Sequence, residues 1–324
     1  MLNFESALKL IEQNDVITIY GHAMPDGDCY GSQLGLRELI KDNFPGKKVY
    51  MVGSGLPAFF ERLAPMDEVD EQTIASSLAI LVDVSCLRRV EDARVFKAKE
   101  FLKFDHHQLN NELEPFDGVA VVDPNRIAAC EIIAEMALAY NWKISTLAAE
   151  AMFLGMCTDS GRFVYQGTTA RTLEIRDLLK RKGIHTRSLL KIAYYESPER
   201  IRLKERIRRG AKYSGSVRYY FLAKSTYEKY GVSAQEALHL VNSLSSNCEE
   251  NHSYALFVEF PDGQVNVELR SNKGYPVHGV AKAFGGGGHR FASGCTIPLG
   301  VEHMMAVVDM MNTVEKEDLE HAGA

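Results

Sequence analysis

The sequence predicts an α/β protein in two parts: an N-terminal parallel sheet with helices on both faces, followed by a smaller α+β domain. Short β-rich runs alternate with helical patterns through the first half of the chain, which is typical of parallel sheets. Those runs are almost continuously apolar, as expected for strands that are buried on both faces. After about residue 185 the composition changes and a hairpin signal replaces the alternation.

The elements of the first half follow from periodicity and from end signals. Residues 15–22, DVITIYGH, form the first predicted strand, and SQLGLRELIKDN at 32–43 has helical spacing with Ser32 as its N-cap. Gly183 is predicted to end the last helix of this half. Further strands are predicted at 47–53, 78–85, 100–107 and 118–124, and further helices at about 129–142, 146–158 and 168–182.

The second half is predicted to start from a basic helical connector, SPERIRLKERIRRGAK at 197–212. Beyond it, Pro261-Asp262-Gly263 separates the runs SYALFVEF and QVNVELRS, which is a strong hairpin signal. Helical patterns at about 233–247 and 276–284 accompany the hairpin, and a glycine run follows at 285–288. The predicted boundaries are a first domain at 1–185, a helical linker at 186–207 and a second domain at 208–324.

Charge and cysteine content exclude some classes of protein. The net charge of −6 does not fit a non-specific nucleic-acid coat, which needs a broad basic field. The six cysteines lie far apart without a CxxC pair, which favours reduced thiols over disulfides or a zinc finger. The N-terminus lacks a signal-peptide pattern, and no segment approaches about 18 uninterrupted apolar residues. We therefore expect a soluble cytoplasmic protein without a membrane partner.

Polar side chains follow four separate apolar segments of the first half. The carboxyl ends of parallel strands share one edge of the sheet, so side chains placed there should converge. A single Asp after a buried strand is usually a cap or turn residue, but four coincidences, two of them containing histidine, are hard to explain by capping. The residues are His22, Asp26 and Asp28 after the first strand, Asp83 after the third, Asp105, His106 and His107 after the fourth, and Asp159 at the end of AAEAMFLGMCTD.

This set of side chains predicts a metal centre. Carboxylates gathered in one crevice repel one another, so a compensating cation is expected. A site with about two His and four Asp is rich in oxygen and suits Mn²⁺ best, then Mg²⁺, Co²⁺ or Zn²⁺. The absence of thiolate in these motifs disfavours structural zinc. Six ligands suit two ions about 3.5–4 Å apart with a shared carboxylate, an arrangement that performs phosphoryl hydrolysis.

The motifs also resemble those of a known family. HAMPDGD, VDVS, FDHH and CTDSGRF, in this order and spacing, resemble the four motifs of the DHH phosphoesterase superfamily, and GGGGHRFASGC resembles the signature of its DHH-associated second domain. The resemblance covers nearly the whole chain. The compact length is most similar to the NrnA type, whose members are nano-RNases, pAp phosphatases and, in some cases, hydrolases of linear or cyclic diadenylates. It implies a metal-binding catalytic domain, a substrate-binding domain, an active site in the cleft between them and a homodimer.

The family pattern implies a role for each matching residue of the first domain. His107 would face substrate or product, and Asp105 would orient an imidazole, with a loop-capping role for Asp105 as the alternative. A water whose pKa is lowered by two cations would attack phosphorus in line. The implied ligands are His22 and Asp26 for one metal, Asp28, His106 and Asp159 for the other, and Asp83 as the bridge between them.

The second domain supplies candidates for substrate binding. A glycine run is often a linker, but before His289 it can form a turn whose N–H groups approach an anion, and the resemblance implies this role for Gly287, Gly288 and His289. Arg270, at the end of VNVELRS, resembles the family's phosphate-gripping arginine; a solvated strand-end arginine is the alternative.

Two positions in the first domain bear on substrate contacts. Arg88 and Arg89 follow Asp83, and one of them is expected to touch phosphate, with Arg89 as the candidate and the choice between them open. Relatives often carry small hydroxyl residues where this chain has Ala128, Ala129 and Cys130, so a side-chain contact to substrate there is in doubt.

The preferred function is a Mn²⁺-dependent phosphodiesterase and phosphatase that acts on short oligoribonucleotides, pApA-type dinucleotides and 3′-phosphoadenosine 5′-phosphate. A cyclic-di-AMP phosphodiesterase and a pyrophosphatase or polyphosphatase are the enzyme alternatives. GGGGHRFASG argues against the pyrophosphatase, whose second domain should have a different basic signature. A non-catalytic nucleotide-binding regulator ranks last because all six expected metal ligands are present.

Overall fold

The structure, a computed structural model, forms two compact units, Met1–Tyr195 and Glu196–Ala324. The boundary between the units falls within the segment 186–207, and the functional division into three domains stays a prediction. The described residues are 2–23, 25–54, 56, 60, 62–85, 89–107, 116–165, 167–245, 252–271 and 275–322.

The first unit contains a five-stranded parallel sheet in the order β2-β1-β3-β4-β5, which confirms the parallel sheet predicted from the sequence. Its strands are β1 (Val16–Tyr20), β2 (Lys48–Val52), β3 (Leu78–Val82), β4 (Glu100–Asp105) and β5 (Val119–Val122). Its helices are α1 (Glu5–Gln13), α2 (Gly27–Asn43), α3 (Glu71–Ala75), α4 (Ala129–Ala139), α5 (Thr146–Asp159), α6 (Ala170–Lys180) and α7 (Thr186–Ala193), with a 3₁₀ helix at Ala93–Lys97.

Apolar side chains of the strands pack on both faces of this sheet. On one face, Ile80 and Phe104 belong to a core that includes buried side chains of α1, α2, α4 and α5. On the other face, Leu81 packs in a second cluster with Ile74 of α3 and Val95 of the 3₁₀ helix. Alternate residues of β3 thus point into different cores, which explains why its five residues are all apolar and all buried.

The first turn of α2 begins earlier than the sequence predicts. Ser32 was the predicted N-cap, but the helix starts at Gly27 and Asp26 caps it, with its Oδ1 accepting the N–H groups of Asp28 and Cys29, both at 3.0 Å. Ser32 instead lies fully buried within the helix. A carboxylate satisfies two otherwise unpaired N–H groups and favours the positive end of the helix, so Asp26 is the better cap.

Glycines on α2 allow this helix to pack closely against α5. A Cβ at Gly31 would lie 2.4 Å from the carbonyl oxygen of Ala151, and one at Gly27 would lie 2.4 Å from Oγ1 of Thr158. Each distance is shorter than two atoms tolerate, so a larger side chain would push the helices apart. This close packing brings the start of α2 next to the end of α5, where Asp159 lies.

The second unit contains a six-stranded mixed sheet in the order β10-β11-β9-β8-β7-β6. It is an α+β unit, which confirms the class predicted from the sequence. The hairpin at Asp262-Gly263 is present, with Gly263 at φ +81°. The strands are β6 (Lys212–Ser214), β7 (Val217–Leu222), β8 (Ser253–Glu259), β9 (Gln264–Ser271), β10 (Gly287–His289) and β11 (Ala292–Pro298). The helices are α8 (Pro198–Gly210), α9 (Lys224–Lys229), α10 (Ala234–Leu238), α11 (His278–Ala283) and α12 (Val301–Ala322), with a 3₁₀ helix at Val241–Leu244.

Two predictions for this unit are wrong in detail. The helix predicted at 233–247 is divided into α10 and the 3₁₀ helix. The glycine run is neither a linker nor a turn throughout, because Gly287 and Gly288 pair with β11 as part of β10. A Cβ at Gly286 would lie 2.1 Å from the carbonyl oxygen of Gly294, so this glycine is required by the close approach of two backbones.

Candidate metal centre

His106 lies at the centre of one group of ligand atoms. Its Nε2 is 3.4 Å from Oδ1 of Asp83, 3.6 Å from Oδ2 of Asp159 and 3.8 Å from Oδ2 of Asp28. These residues come from the end of β4, the end of β3, the last residue of α5 and the first turn of α2. Four segments that are distant in the sequence therefore converge at the carboxyl edge of the sheet.

Asp83 lies between the two histidines of the centre. Its Oδ2 is 3.6 Å from Nε2 of His22, while its Oδ1 faces His106. The side chain is 4% exposed, and Oδ1 is buried without a hydrogen-bond partner in the described part of the chain. Asp83 also has φ +55°, a left-handed conformation that costs energy for a residue with a side chain. A strained, buried and unpaired carboxylate oxygen fits a ligand that bridges two cations.

Asp28 is held in place by backbone groups of α4. Its Oδ2 accepts the N–H of Ala129 at 2.6 Å, and its Oδ1 accepts the N–H of Cys130 at 3.0 Å. The carboxylate is fully buried. At the start of α4, where the residues are Ala128, Ala129 and Cys130, the chain thus contributes backbone N–H groups that position Asp28.

The His22 side of the centre contains a residue that the sequence analysis missed. Ligand atoms of His22, Cys29 and Asp83 all lie within 4.8 Å of one another. Burial raises the pKa of the Cys29 thiol to about 11. Asp26 also lies here, with its Oδ1 3.8 Å from Nε2 of His22. The expectation that these motifs lack a thiol was therefore wrong: Cys29 follows HAMPDGD directly and could have been noticed from the sequence.

The charges of the cluster are not balanced by protein groups alone. Burial and the Asp83 carboxylate raise the pKa of Asp28, and burial together with Asp28 and Asp26 raises that of Asp159. Burial alone would lower the pKa of His106, but the nearby carboxylates of Asp83 and Asp28 raise it above its ordinary value. Ionisation of the carboxylates is thus disfavoured and protonation of the imidazole is favoured, which is the condition that a bound cation relieves.

Asp105 and His107 form a pair beside the cluster. Oδ1 of Asp105 accepts a hydrogen bond from Nδ1 of His107 at 2.7 Å and one from its backbone N–H at 3.2 Å. Burial would raise the pKa of Asp105, but these hydrogen bonds hold it below its ordinary value. Lys103, also buried, places its Nζ 3.7 Å from Oδ2 of Asp105. Nδ1 of His107 is thereby used as the donor to Asp105, which distinguishes it from the second ring nitrogen, Nε2.

One backbone contact of His106 and one backbone conformation after Asp159 were not predicted from the sequence. Nδ1 of His106 lies 3.3 Å from the carbonyl oxygen of Arg126, and as a donor there it leaves Nε2 for the carboxylates. After Asp159, Arg162 and Phe163 both have φ +65°. A backbone carbonyl and a left-handed turn give no side-chain pattern, so neither could have been inferred from residue types.

The predicted substrate residues of the second unit lie on adjacent strands. The register places position 289 opposite Ala292, and Ala292 opposite Arg270. Nη1 of Arg270 donates to Oε2 of Glu268 at 2.7 Å and to the carbonyl oxygen of Leu269 at 2.9 Å. A Cβ at Gly287 would meet no atom within 4 Å, so packing does not require this glycine.

Arg89 lies in the first unit, next to the His22 loop. Its side chain is exposed, and its carbonyl oxygen accepts the N–H of Ala23 at 3.2 Å. Arg88 lies outside the described residues. Across the described ranges, no helix combines the length and apolarity that crossing a membrane requires.

Comparison with known proteins identifies the family. The N-terminal domain of the DHH family matches residues 16–156, and the DHHA1 domain matches residues 215–317. The bifunctional oligoribonuclease and PAP phosphatase NrnA of Mycoplasma genitalium is 34% identical over 297 residues, which is 90% of this chain and 91% of that protein. The protein of the same name from Bacillus subtilis is 33% identical over 294 residues, 90% of this chain and 92% of that protein.

The chain therefore belongs to the DHH family of phosphoesterases, which confirms the resemblance seen in the sequence. In this chain the DHH domain is followed by a DHHA1 domain, and the chain is similar over most of its length to proteins named NrnA. The crystal structure of an exopolyphosphatase-related protein from Bacteroides fragilis has the same fold, with a TM-score of 0.85 at 23% identity over 97% of this chain and 95% of that chain.

Proposed function

We propose that this chain hydrolyses short oligoribonucleotides and 3′-phosphoadenosine 5′-phosphate with two divalent cations. The observation that carries the proposal is Asp83, whose two oxygens face His106 at 3.4 Å and His22 at 3.6 Å. The names of the relatives from Mycoplasma genitalium and Bacillus subtilis support the substrate class.

The proposed ligands divide around Asp83 into two positions. His22 with Asp26 would hold one cation, and His106 with Asp28 and Asp159 would hold the other. Cations held there would supply a water of lowered pKa and positive charge for the phosphoryl oxygens. The predominance of carboxylate oxygen supports Mn²⁺ as the preferred ion.

The chain's own groups would orient the phosphate and handle protons. Asp105 holds the ring of His107 through the 2.7 Å hydrogen bond, so that Nε2 of His107 is directed away from the carboxylate. We propose that His107, in its imidazolium form with a second proton on Nε2 and the Asp105 carboxylate as counter-ion, donates a hydrogen bond from Nε2 to the phosphate or to the leaving oxygen. The hydrogen bonds from His107, and to a smaller extent the charge of Lys103, lower the pKa of Asp105 and make its carboxylate a good acceptor.

The second unit is proposed to grip the far end of the substrate. Glu268 orients the Arg270 guanidinium through a hydrogen bond. Across the sheet, Arg270 of β9 is opposite Ala292 of β11, which is opposite position 289 of β10, directly after Gly287 and Gly288. A guanidinium suits a terminal phosphate, and backbone N–H groups of an edge strand such as β10 can approach an anion. Arg89, beside the His22 loop, is the further phosphate contact that we propose.

The deciding experiment compares five substrates on one metal-free preparation reloaded with Mn²⁺: pAp, pApA, a five-nucleotide RNA, cyclic di-AMP and pyrophosphate. We expect the highest kcat/KM for pApA and pAp. Preference for cyclic di-AMP or for pyrophosphate would replace the proposed substrate class, and binding of pApA without turnover of any substrate would indicate a regulator. Mg²⁺ and Co²⁺ in place of Mn²⁺ test the choice of ion.

The role of Arg270 has its own test. Arg270→Ala is expected to raise the KM for pApA about tenfold or more, because hydrogen bonds to charged groups contribute about 1.5–3 kcal/mol. Arg209→Ala, which removes an exposed arginine at the end of α8, is the matched control. An unchanged KM for pApA in Arg270→Ala would remove the arginine from the binding site. The homodimer, the cleft between the domains and the cytoplasmic location stay predictions.

A further inference from the structure

We propose that Cys29 is a metal ligand and that it makes the His22 position selective for softer divalent cations such as Zn²⁺ or Cd²⁺. The inference rests on the proposed metal centre and goes beyond it by assigning a donor of different chemistry. Its basis is the cluster in which Sγ of Cys29, a ring nitrogen of His22 and a carboxylate oxygen of Asp83 all lie within 4.8 Å of one another.

The position of Cys29 in α2 directs its thiol toward the centre. Cys29 lies in the first turn of the helix, next to the ligand Asp28, and is fully buried. Its Sγ would be 2.2 Å from a Cβ at Gly21, so the sulfur contacts the backbone directly before His22. Glycine at 21 thus makes room for this sulfur at the end of the segment that carries the histidine.

The burial of Asp83 also points to a ligand. Its side chain is only 4% exposed, and its Oδ2 lies 3.6 Å from Nε2 of His22, so a nearly buried carboxylate oxygen shares this position with the thiol of Cys29. Asp26, by contrast, has a side chain that is 60% exposed and already accepts two N–H groups as the helix cap. Cys29 is therefore the more enclosed of the two donors that α2 offers to this position.

The donor sets of the two positions differ in chemistry. A thiolate with an imidazole favours Zn²⁺ or Cd²⁺, whereas the three carboxylates around His106 favour Mn²⁺ or Mg²⁺. On binding, the S–H bond of Cys29 breaks, its proton leaves to the solvent, and a sulfur–metal bond forms without oxidation or reduction. We expect a centre that can hold two different metals, with the softer one at His22.

The test is a titration of the metal-free, reduced full chain with Cd²⁺, followed by the thiolate-to-cadmium charge-transfer absorbance. The wild-type chain and Cys157→Ala are expected to show the band, because Cys157 is a buried cysteine of the same unit that belongs to none of the described ligand groups. Cys29→Ser and Cys29→Ala are expected to lose it. Loss of the thiolate should weaken Cd²⁺ binding by more than the about 10–100-fold that removal of an outer-shell partner costs.

Other outcomes overturn the inference in distinct ways. A band that persists in Cys29→Ser, or a wild-type chain that binds Cd²⁺ without a band, would exclude Cys29 as a ligand and leave the two-metal proposal intact. A wild-type chain that binds no divalent cation would overturn both proposals. Sulfur ligation without hydrolysis of any nucleotide would support Cys29 and contradict the proposed function. Cadmium NMR on the wild-type chain checks ligation without relying on a variant that folds.

Discussion

The two halves of the candidate centre are built differently. On the His106 side, Asp28 is fully buried and fixed by two N–H groups of α4, and His106 is anchored through the carbonyl of Arg126. On the His22 side, Asp26 is 60% exposed and serves as the cap of α2. Nδ1 of His22 lies 2.9 Å from the carbonyl oxygen of the neighbouring Ala23.

The His106 side is therefore the more rigid half of the site, and the His22 side is the more adaptable half. The His106 side brings together side chains from four segments that are distant in the sequence, so its geometry is set by tertiary packing. The His22 side takes His22, Asp26 and Cys29 from one stretch of eight residues, with a buried thiol and an exposed carboxylate as alternative donors. The local sequence thus determines which donors the His22 side offers, whereas the tertiary structure positions the side chains of the His106 side.

Removing the shared carboxylate is expected to have the largest effect, because Asp83 belongs to both halves. Asp83→Asn should lower kcat/KM for pApA by at least about 10²–10³-fold, the loss that follows removal of one preorganised charge-stabilising group. The measurement is steady-state kinetics at saturating Mn²⁺, with metal content determined in parallel. Asp70→Asn, at the cap of α3, is the control and should keep wild-type activity. Retained activity in Asp83→Asn would contradict the bridging role.

The next comparison replaces one carboxylate in each half. Asp28→Asn should lower activity more than Asp26→Asn by about tenfold or more, since Asp28 also anchors to α4 and its loss misplaces the ligand. The Asp26→Asn variant should unfold at the same temperature as the wild-type chain, because Asn is an equally good helix cap. Activity and thermal unfolding of both variants provide the measurement. Equal losses of activity would show that the two halves contribute alike.

Removal of metal is expected to destabilise the first unit. A cation that binds only the folded chain contributes about 2.7 kcal/mol when its concentration is 100 times its Kd. Chelation should therefore lower the unfolding temperature, and returning Mn²⁺ should restore it. The matched control is Asp83→Asn, which should respond weakly to both treatments. An unfolding temperature of the wild-type chain that is independent of Mn²⁺ would contradict a metal site in this cluster.

The smallest expected effect is a change in the unfolding temperature of the metal-free chain. The pKa of Asp159 is raised to about 9 by burial and by neighbouring carboxylates, so the folded chain disfavours its charge and the unfolded chain does not. The resulting destabilisation is absent near pH 3.8 and grows as the pH rises toward 9. Asp159→Asn should thus raise the unfolding temperature of the metal-free chain by about 2–4 °C or more at pH 8. Asp177→Asn on α6 is the exposed control.

At saturating metal, we expect the opposite: the wild-type chain should unfold at a higher temperature than Asp159→Asn. The wild-type chain gains binding energy through Asp159, and the Asn variant loses a ligand. If Asp159→Asn were less stable than the wild type without metal as well, the carboxylate would be a structural group rather than a group held ready for a cation.

The sequence by itself determined the parallel sheet and the convergence of His22, Asp83, His106 and Asp159. Apolar runs must be buried on both faces, and the carboxyl ends of parallel strands must meet at one edge. It also specified the second sheet through the turn at Pro261-Asp262-Gly263, because that tripeptide suits only a tight reversal.

Only the tertiary structure decided how those residues act. Asp26 became a helix cap, the N–H groups of Ala129 and Cys130 became the anchor of Asp28, and the thiol of Cys29 came to lie beside His22. The glycine run became a strand through the close approach of Gly286 to Gly294. Periodicity and residue type report which groups are buried, whereas backbone hydrogen bonds and close approaches depend on segments up to about a hundred residues apart.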